Sequence, residues 1–517
     1  MLSLASCFIF VLVGFVIQFV ISLVRQDDIG DAPGPAKKNA SWVWGHELEV
    51  FRGQAVEVYS KWMSDYGSLF KIRAALFHRD IIVLGDHAAV QQILADTLTY
   101  MKTPSFRPII ANIIGKGLLW AEGEEHGYQR RLLSPAFTPE SVMEMANDMS
   151  ECAEMFEDTL TNLVLMNGGS VTLNIVPYTS HCTLDIIGRV GFGHDFRNGK
   201  STEAQEITAS WNNLVNIGMT FAGFLAPIVL RAFPLIMSIP LKSIQAQGEV
   251  REITRKLAQK LIEDGSHSEK RKNILSILLT TKSDSGGLSK SQIIDNISTF
   301  TMSGHETTAG TLNFTLLELA RNPQAQERLR EEVRQYGGAI SYDQVSKMEY
   351  LDAVMKEGLR LHPAFPLAER VAMKDDVLTL SKPIKTKGGQ ILTSFRVKKG
   401  QVFHIPYMAM QTNPNVWGEN AAVFKPERWL TPCALPPRNE LPRGWSNLVA
   451  FSDGPRTCIG YRLALFEFKI ILVTIIRTLE FRETDYKVTQ KISPTLQPVV
   501  DGRGGVLPLH ISIAPQA

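Results

Sequence analysis

The chain has few cysteines and almost no net charge, and both scarcities exclude classes of protein. Its 517 residues include five cysteines, none of them in a C-x-x-C pair: Cys7, Cys152, Cys182, Cys433 and Cys458. An odd number without paired spacing argues against a disulfide framework or a zinc site, and fits a catalytic domain in a reducing compartment. The formal net charge of +2, without a basic tail, argues against nucleic acid as a main partner.

Internal repeats and long low-complexity tracts are also absent from the sequence, which is 44% hydrophobic and 21% charged, as in ordinary globular proteins. Helical patterns dominate. Strand-like stretches are short and occupy residues 68–72 and 81–84, then 377–379 and 400–405. The sequence therefore predicts a mainly α fold with small β-sheets.

The first 24 residues carry no charged side chain and are long enough to cross a bilayer as one helix. The alternatives are a cleaved signal peptide and a buried core helix. A basic n-region and a small-x-small cleavage site are not evident, so we expect a retained transmembrane anchor. Arg25, Lys37 and Lys38 follow the span and favour a cytoplasmic catalytic domain.

A proline-rich stretch, Pro33-Gly34-Pro35, follows the predicted anchor. Proline ends a helix and stiffens a link between two units. The predicted organisation is an anchor at 1–24, a hinge at 25–45 and a catalytic domain at 46–517.

The segment from Phe451 to Gly460 reads F-S-D-G-P-R-T-C-I-G and places Cys458 on a tight turn before an apolar helix. Free backbone N–H groups and the macrodipole at a helix N-terminus favour a thiolate, which is a metal ligand. Gly454 and Gly460 allow conformations and close approaches that a side chain would block. Arg456 is placed to reach an anionic group beside a metal.

A long helix is predicted from Lys290 to Arg321, because Ser289 and Gln292 form a capping-box pattern and Asn322-Pro323 ends the run. Its middle reads S-G-H-E-T-T from residue 303 to residue 308. A glycine there costs about 1 kcal/mol relative to alanine, and a buried acid costs more unless it has partners. Such joint violations of local rules are expected at functional sites.

A third motif pairs Glu357 with Arg360, which share one helix face at i, i+3 spacing. An isolated pair of this kind is usually a weak surface ion pair. The segment from Pro426 to Trp429 supplies a second arginine, Arg428.

Together these motifs resemble the cytochrome P-450 family. The first matches every fixed position of its haem loop, F-x-x-G-x-R-x-C-x-G. The second is similar to its oxygen-activation motif, [AG]-G-x-[DE]-T-[TS], with Ser303 replacing the usual Ala or Gly. The third is similar to its E-x-x-R helix. The resemblance covers about residues 33–510 and implies the cytochrome P-450 fold with haem b, its iron held by Cys458 as axial ligand.

The resemblance implies roles for the remaining motif residues. Thr307 would hydrogen-bond the bound dioxygen, Glu306 would relay protons, and Gly304 would leave space for oxygen. The alternative is a helix kink stabilised by threonine back-bonding. A Glu357–Arg360–Arg428 network would support folding and the haem loop, because two arginines can satisfy one buried carboxylate.

Haem binding would also involve side chains that face the propionates. Arg456, Arg370, Arg130 and His126 are the candidates, with Phe451 and Gly460 shaping the loop. His126 stands where the family commonly has tryptophan, and its N–H can still reach a propionate. A role for His126 as the axial ligand is disfavoured, since its helix carries Arg130 towards the propionate edge.

An apolar substrate pocket is expected from the segment after Met101 and from the run 217–239, which the resemblance makes the loop over the haem and the access lid. The lid would dip into the membrane interface; the alternative is plain core packing of a helix pair. Alignment with family positions adds six candidate pocket residues: Phe300, Met302, Ala364, Phe365, Leu367 and Val499.

The resemblance therefore implies a membrane-anchored haem-thiolate monooxygenase that inserts one oxygen atom from O2 into a lipophilic substrate. Because no flavin or nicotinamide fingerprint is present, electrons would come from NADPH-cytochrome P-450 reductase. A basic face would dock it, formed by Arg130, Arg131, Arg443, Arg462 and Lys469. Similarity to fungal microsomal members implies the endoplasmic reticulum membrane, with a single span, and terpenoid-like substrates in secondary metabolism.

Alternatives remain open within and outside this activity. The same fold could act on fatty acids, sterols or xenobiotics. Family members that isomerise, dehydrate or use peroxide often lack the acid–alcohol pair that this chain retains at Glu306 and Thr307. A non-enzymatic haem-binding sensor is the alternative outside enzymes.

Overall fold

The computed structural model describes residues 31–104, 106–232, 249–265, 273–280, 286–338, 340–431 and 433–515, with isolated positions before them. The predicted anchor at 1–24 lies outside this described part except for Val13 and Val20. Within the described residues no single helix is long and apolar enough to cross a membrane. One bent helix pair, Thr202–Gly218 with Phe221–Arg231, passes the length and composition test together, with a bend of 78°.

Helices dominate the described residues, as the sequence predicts. The first group comprises α1 (Glu47–Arg52), α2 (Ala55–Tyr66), α3 (His87–Ala95), α4 (Phe106–Ile114), α5 (Gly123–Leu133), α6 (Pro139–Glu144), α7 (Ala146–Met166), α8 (Val176–Phe192), α9 (Thr202–Gly218) and α10 (Phe221–Ala232). The second comprises α11 (Glu249–Gly265), α12 (Ile274–Thr280), α13 (Lys290–Arg321), α14 (Pro323–Arg334), α15 (Tyr342–Lys347), α16 (Glu349–Leu361), α17 (Tyr407–Gln411), α18 (Pro414–Trp417) and α19 (Tyr461–Thr478).

The strands are short, also as predicted. They are β1 (Leu69–Ile72), β2 (Ile81–Leu84), β3 (Tyr100–Met101), β4 (Ser170–Asn174), β5 (Ala368–Ala372), β6 (Asp376–Lys385), β7 (Ile391–Val397), β8 (Val402–Ile405), β9 (Leu479–Glu483), β10 (Thr489–Ile492), β11 (Leu496–Val500), β12 (Arg503–Gly504) and β13 (Pro508–Ile513). A five-stranded sheet runs in the order β1-β2-β8-β5-β3. Smaller sheets join β10-β11-β12, β4-β13-β9 and β6-β7.

The five-stranded sheet has its own apolar core, separate from the main helical core. All four residues of β2 are buried, because this strand lies between β1 on one edge and β8 on the other. Ile81 pairs with Ile72 in the antiparallel register, and Ile82 pairs with Phe403 in the parallel one. Such doubly flanked strands read as continuous apolar runs.

Helix α13 is the central element of the helical core and begins and ends where the sequence predicts. Ser289 and Gln292 form the capping box, and the helix ends at Arg321 before Asn322. It packs along α8, α11 and α16. Its middle turns are buried among these helices, which places the S-G-H-E-T-T segment inside the protein.

The predicted hinge is not a free link in its described part. The backbone N–H of Lys71 in β1 donates to the Pro33 carbonyl at 2.9 Å. Gly34 has φ +153°, and a Cβ there would lie 2.2 Å from the Lys71 carbonyl oxygen. Residues 33–35 therefore pack onto the edge of the five-stranded sheet, where only glycine fits at position 34.

Candidate functional site

The Cys458 loop lies between a 3-10 turn, Gly454–Arg456, and the start of α19. The Cys458 backbone N–H donates to the Phe451 carbonyl at 2.9 Å, which closes the loop. Gly454 has φ +65°, and a Cβ there would lie 2.6 Å from the Leu94 carbonyl oxygen. Both the backbone conformation and the close approach to α3 therefore require glycine at position 454.

Gly460 was also expected to need glycine, but its geometry differs from that of Gly454. Its φ is −89°, and a Cβ there would make an ordinary contact, 3.6 Å from a ring carbon of Phe137. Neither the backbone nor the described neighbours of Gly460 demand a glycine. Its predicted part in haem binding stays a prediction.

The Cys458 side chain keeps accessible surface within the loop. Burial raises the pKa of its thiol, against the opposing effects of the Gly460 N–H and the Arg130 charge. The sequence led us to expect a pKa favouring the thiolate, and this was wrong for the protein alone, because burial outweighs both stabilising groups. A bound metal cation would reverse that balance by deprotonating the thiol.

Cationic side chains converge beside this loop. Arg130 on α5 donates from Nη1 to the Thr457 carbonyl at 2.6 Å. Glu122 accepts from Lys102 Nζ at 2.9 Å through one oxygen and pairs with Arg456 through the other. Burial and the neighbouring Arg456 charge lower the pKa of Lys102 to about 7. We call Lys102, Glu122, Arg130, Arg370 and Arg456 the cation cluster.

His126 and Arg370 lie at the same cluster. His126 is buried on α5, and burial together with the charges of Arg456, Lys102 and Arg130 lowers its pKa to about 3. Its ring is therefore neutral and can donate one N–H. Arg370 on β5 lowers the pKa of both Lys102 and Arg456 through its charge.

The cation cluster fits the two carboxylates of haem. It holds four cations against the single carboxylate of Glu122, and burial with mutual repulsion lowers the pKa of Arg456 to about 10. Buried cations in excess are costly unless anions compensate them. The structure thus brings together four residues predicted from sequence and adds Lys102 and Glu122, which local sequence patterns did not reveal.

The middle of α13 contributes the second part of the site. Ser303, Gly304 and Thr307 keep accessible surface in an otherwise buried stretch, so this stripe of the helix also faces open space. The Thr307 hydroxyl donates to the Ser303 carbonyl at 2.7 Å. This is the back-bonding arrangement described above as an alternative, within a continuous helix.

The need for glycine at position 304 has a structural reason that the sequence did not reveal. A Cβ at this position would lie 2.8 Å from Cγ1 of Ile187 on α8. The glycine therefore admits close packing of α8 against α13. Ile187 occupies only the side where a Cβ would point, and Gly304 keeps accessible surface, so its part in leaving space for oxygen stays a prediction.

Glu306 points towards α8. It accepts from the Ser180 hydroxyl at 3.0 Å, and Oε1 lies 3.1 Å from Nε2 of His305. Thr307 is bonded to its own helix instead. The structure thus places the predicted acid and alcohol on neighbouring faces of α13 without a direct hydrogen bond between them.

The Glu357 network assembles as the resemblance implied. Arg360 donates two hydrogen bonds to the carboxylate, at 2.8 and 2.9 Å, and Arg428 donates a third at 2.9 Å. The Trp429 indole N–H and the Lys425 backbone N–H complete the shell at 3.0 and 2.9 Å. Arg360 also donates to the carbonyls of Gln411 and Ala421, so α16 is tied to the segment that precedes the Cys458 loop.

The candidate pocket residues divide into two groups. Ala364, Phe365 and Leu367 follow α16 and keep accessible surface. Phe300, Met302 and Val499 are buried, and the first two belong to the helical core. Met302 is only 2% exposed, so the structure gives no support to its placement in a pocket.

The predicted lid run is divided between α9 and α10, and residues 233–239 lie outside the described part. Phe224 and Ile228 of α10 are buried against Ala75 and Leu76. Arg231 pairs with Glu47 of α1 at 2.5 Å. Phe221 is 47% exposed, so α10 both packs on the N-terminal segment and keeps an apolar surface.

The predicted basic face is smaller than expected. Arg131, Arg443 and Arg462 are exposed. Arg130 is turned onto the Cys458 loop, and Lys469 is bound to Asp352 at 2.6 Å. Those two side chains are therefore engaged within the protein.

Comparison with known proteins places this geometry in a family. The cytochrome P450 family model matches residues 35–500. The chain is 31% identical to cytochrome P450 monooxygenase claO of Ampulloclitocybe clavipes, covering 92% of each chain. It is 31% identical to cytochrome P450 monooxygenase 205 of Postia placenta, covering 96% of this chain and 94% of that protein. It is also 30% identical to ganoderic acid synthetase CYP5150L8 of Ganoderma lucidum, covering 84% and 85%.

The chain therefore belongs to the cytochrome P450 family, and it is a cytochrome P450 monooxygenase. Membership in this family implies a haem-thiolate cofactor, which the Cys458 loop and the cation cluster fit.

Proposed function

We propose that this monooxygenase oxidises a lipophilic, terpenoid-like small molecule in fungal secondary metabolism, using haem b, O2 and electrons from NADPH-cytochrome P-450 reductase. The carrying observation is the cation cluster beside an accessible Cys458 thiol. The relatives named above are fungal proteins, and the name of one of them, ganoderic acid synthetase, supports a product of secondary metabolism.

In this proposal Cys458 ligates the haem iron, while Arg456, Arg370, Arg130, Lys102 and the neutral His126 hold the propionates. When bound through the thiolate, haem supplies the activation of dioxygen and the transfer of one oxygen atom. Glu122 would hold Lys102 and Arg456 in place, since it already binds both. The Glu357 network keeps the preceding segment fixed behind the loop.

The residues of α13 would handle the protons that the reaction needs. Thr307 keeps accessible surface, and its hydroxyl donates to its own helix, so it would turn into the open space to hand on a proton. Glu306 would supply protons as a general acid. Because Glu306 faces α8, a proton would pass to Thr307 through a side-chain rotation or a bridging water.

Electron delivery would use the exposed arginines Arg131, Arg443 and Arg462. We expect their joint replacement by glutamate to slow reduction by the reductase without changing substrate binding. Reversal of Arg482, an exposed residue on β9, is the matched control. Unchanged reduction rates in the triple variant would remove this docking surface.

We place the protein in the endoplasmic reticulum membrane, anchored by a single span at 1–24, with the catalytic domain in the cytoplasm. The uncharged run before Arg25 supports the anchor. Phe221, which begins α10, and Trp42 are both exposed aromatic side chains, and they support a domain that rests on the bilayer. Alkaline carbonate extraction of membranes tests the span: a chain lacking residues 1–24 should be released and the full chain retained.

The first test is a reduced-plus-carbon-monoxide difference spectrum of the membrane fraction. A red-shifted Soret band that disappears in Cys458→Ala supports thiolate ligation. Product analysis with terpenoids, sterols and fatty acids and a fungal reductase then tests the substrate class. Turnover of fatty acids alone would replace the terpenoid proposal, and tight haem binding without oxidation of any substrate would favour the sensor alternative.

A further inference from the structure

Helix α13 carries a fully buried histidine that the roles described so far do not use. His305 is 0% exposed and lies between Gly304 and Glu306 in the motif. Its ring packs edge-on against Trp211 of α9, with centroids 6.1 Å apart. A buried titratable ring in contact with a proposed proton carrier requires a physical account.

The contacts of the ring assign its tautomer. Nδ1 lies 3.1 Å from the Thr301 carbonyl oxygen, which can only accept, so Nδ1 carries the hydrogen. Nε2 faces Oε1 of Glu306 at 3.1 Å and is buried without an aligned hydrogen bond. In the neutral ring Nε2 is thus the atom that is free to take up a proton beside the carboxylate.

We propose that His305 is the proton donor that recharges Glu306, so that the two side chains hold one transferable proton between Nε2 and Oε1. The proposal rests on the proposed role of Glu306 in oxygen activation. In the transfer, the Nε2–H bond breaks and an Oε1–H bond forms, while Nδ1–H stays on the Thr301 carbonyl. No electrons move, and the proton is replaced from water.

His181 on α8 is a second histidine close to this pair. It follows Ser180, which donates to the same Glu306 oxygen at 3.0 Å, and it is partly exposed. The pKa of His181 is lowered by burial and then by the charge of His305, so the two rings are electrostatically close. The described contacts of the His305 ring are the Glu306 carboxylate, the Thr301 carbonyl and the uncharged Trp211 on α9, and His181 on α8 is coupled to it through charge.

The tautomer can be measured without turnover, by NMR of protein labelled with 15N-histidine. The His305 resonances are assigned as those lost in His305→Gln. We expect hydrogen on Nδ1 in the resting protein, with the shared proton on Glu306 beside Nε2. In Glu306→Gln the Nε2 resonance should shift, because the carboxyl group that hydrogen-bonds it is gone. A ring with hydrogen on Nε2 and none on Nδ1, or an Nε2 resonance unchanged in Glu306→Gln, would overturn the proposal.

Turnover supplies the second readout, in enzyme first shown to give the thiolate carbon-monoxide band. We expect His305→Gln to lower kcat about tenfold, to release more hydrogen peroxide and to enlarge the solvent deuterium isotope effect, with KM little changed. His510→Gln, which alters a partly exposed histidine bound to Thr172, is the matched control. A wild type without the thiolate band would defeat the proposed function itself. If the wild type gives the band and Glu306→Gln is impaired, but His305→Gln turns over and releases peroxide as the wild type does, only the role of His305 is defeated.

Discussion

Removal of the Glu357 carboxylate should be among the most damaging single changes outside the Cys458 loop. The side chain is fully buried and accepts hydrogen bonds from two arginines, one indole and one backbone N–H. Glu357→Ala leaves the Arg360 and Arg428 guanidinium groups buried without their anion. Breaking a buried ion pair in this way costs about 3–5 kcal/mol of unfolding free energy.

The assay is urea unfolding followed by tryptophan fluorescence, with haem retention measured in parallel. Glu483→Gln is the control, since it breaks an ion pair with Arg321 in which both side chains are more than one third exposed. Exposed pairs contribute about 0.2–1 kcal/mol. If Glu357→Ala were no more destabilising than Glu483→Gln, the inference that the network stabilises the fold would be refuted.

The pH dependence of the unfolding free energy of wild type and of Glu357→Ala tests whether the two arginines stabilise the ionised Glu357 carboxylate. Burial alone would raise the pKa of Glu357, but the hydrogen bonds and charge of Arg360, with the charge of Arg428, hold it below the usual value. A lowered pKa contributes stability above the unfolded-state value, about 4.3, and that contribution is lost as the pH falls through the folded-state value. The stability difference between wild type and Glu357→Ala should therefore narrow in acid.

Three further predictions follow from individual contacts. Gly304→Ala should destabilise the protein by about 1–3 kcal/mol through its clash with Ile187, and Ile187→Ala in the same chain should remove most of that cost in a double-mutant cycle. Burial raises the pKa of Asp185 to about 6, so the ionised carboxylate destabilises the folded protein as the pH rises through that value. Asp185→Asn should therefore raise the unfolding free energy by up to about 3 kcal/mol at pH 8 and leave it unchanged below pH 4, as measured by denaturant unfolding. Glu47→Gln, which weakens the buried pair with Arg231, should speed the binding of a lipophilic ligand in stopped-flow spectra, and equal rates would show that α10 is not held there during entry.

The sequence predicted the central helix well because its signals are local. The capping box at Ser289 and the proline after Asn322 lie within a few residues of the ends they determine. The fixed spacing of the Cys458 and Glu357 motifs likewise identified the family. Those patterns can be recognised without knowledge of the rest of the fold.

The missed features depend on contacts between distant parts of the chain. Glu122 meets Arg456 across 334 positions, and Trp429 meets Glu357 across 72. Gly304 is required by a neighbour on another helix, which no pattern on α13 reveals. The direction of the Cys458 pKa was misjudged because a helix terminus is visible in sequence, whereas the depth of burial is not.

The attachment of residues 33–35 to β1 also decides where the chain can be shortened for expression in bacteria. A chain starting at Pro33 keeps the hydrogen bond from Lys71 and the ring contact between Trp44 and Phe224 of α10. A chain starting at residue 46, the predicted domain boundary, loses both and bares an unpaired sheet edge, which invites aggregation. An N-terminal truncation should therefore stop short of Pro33.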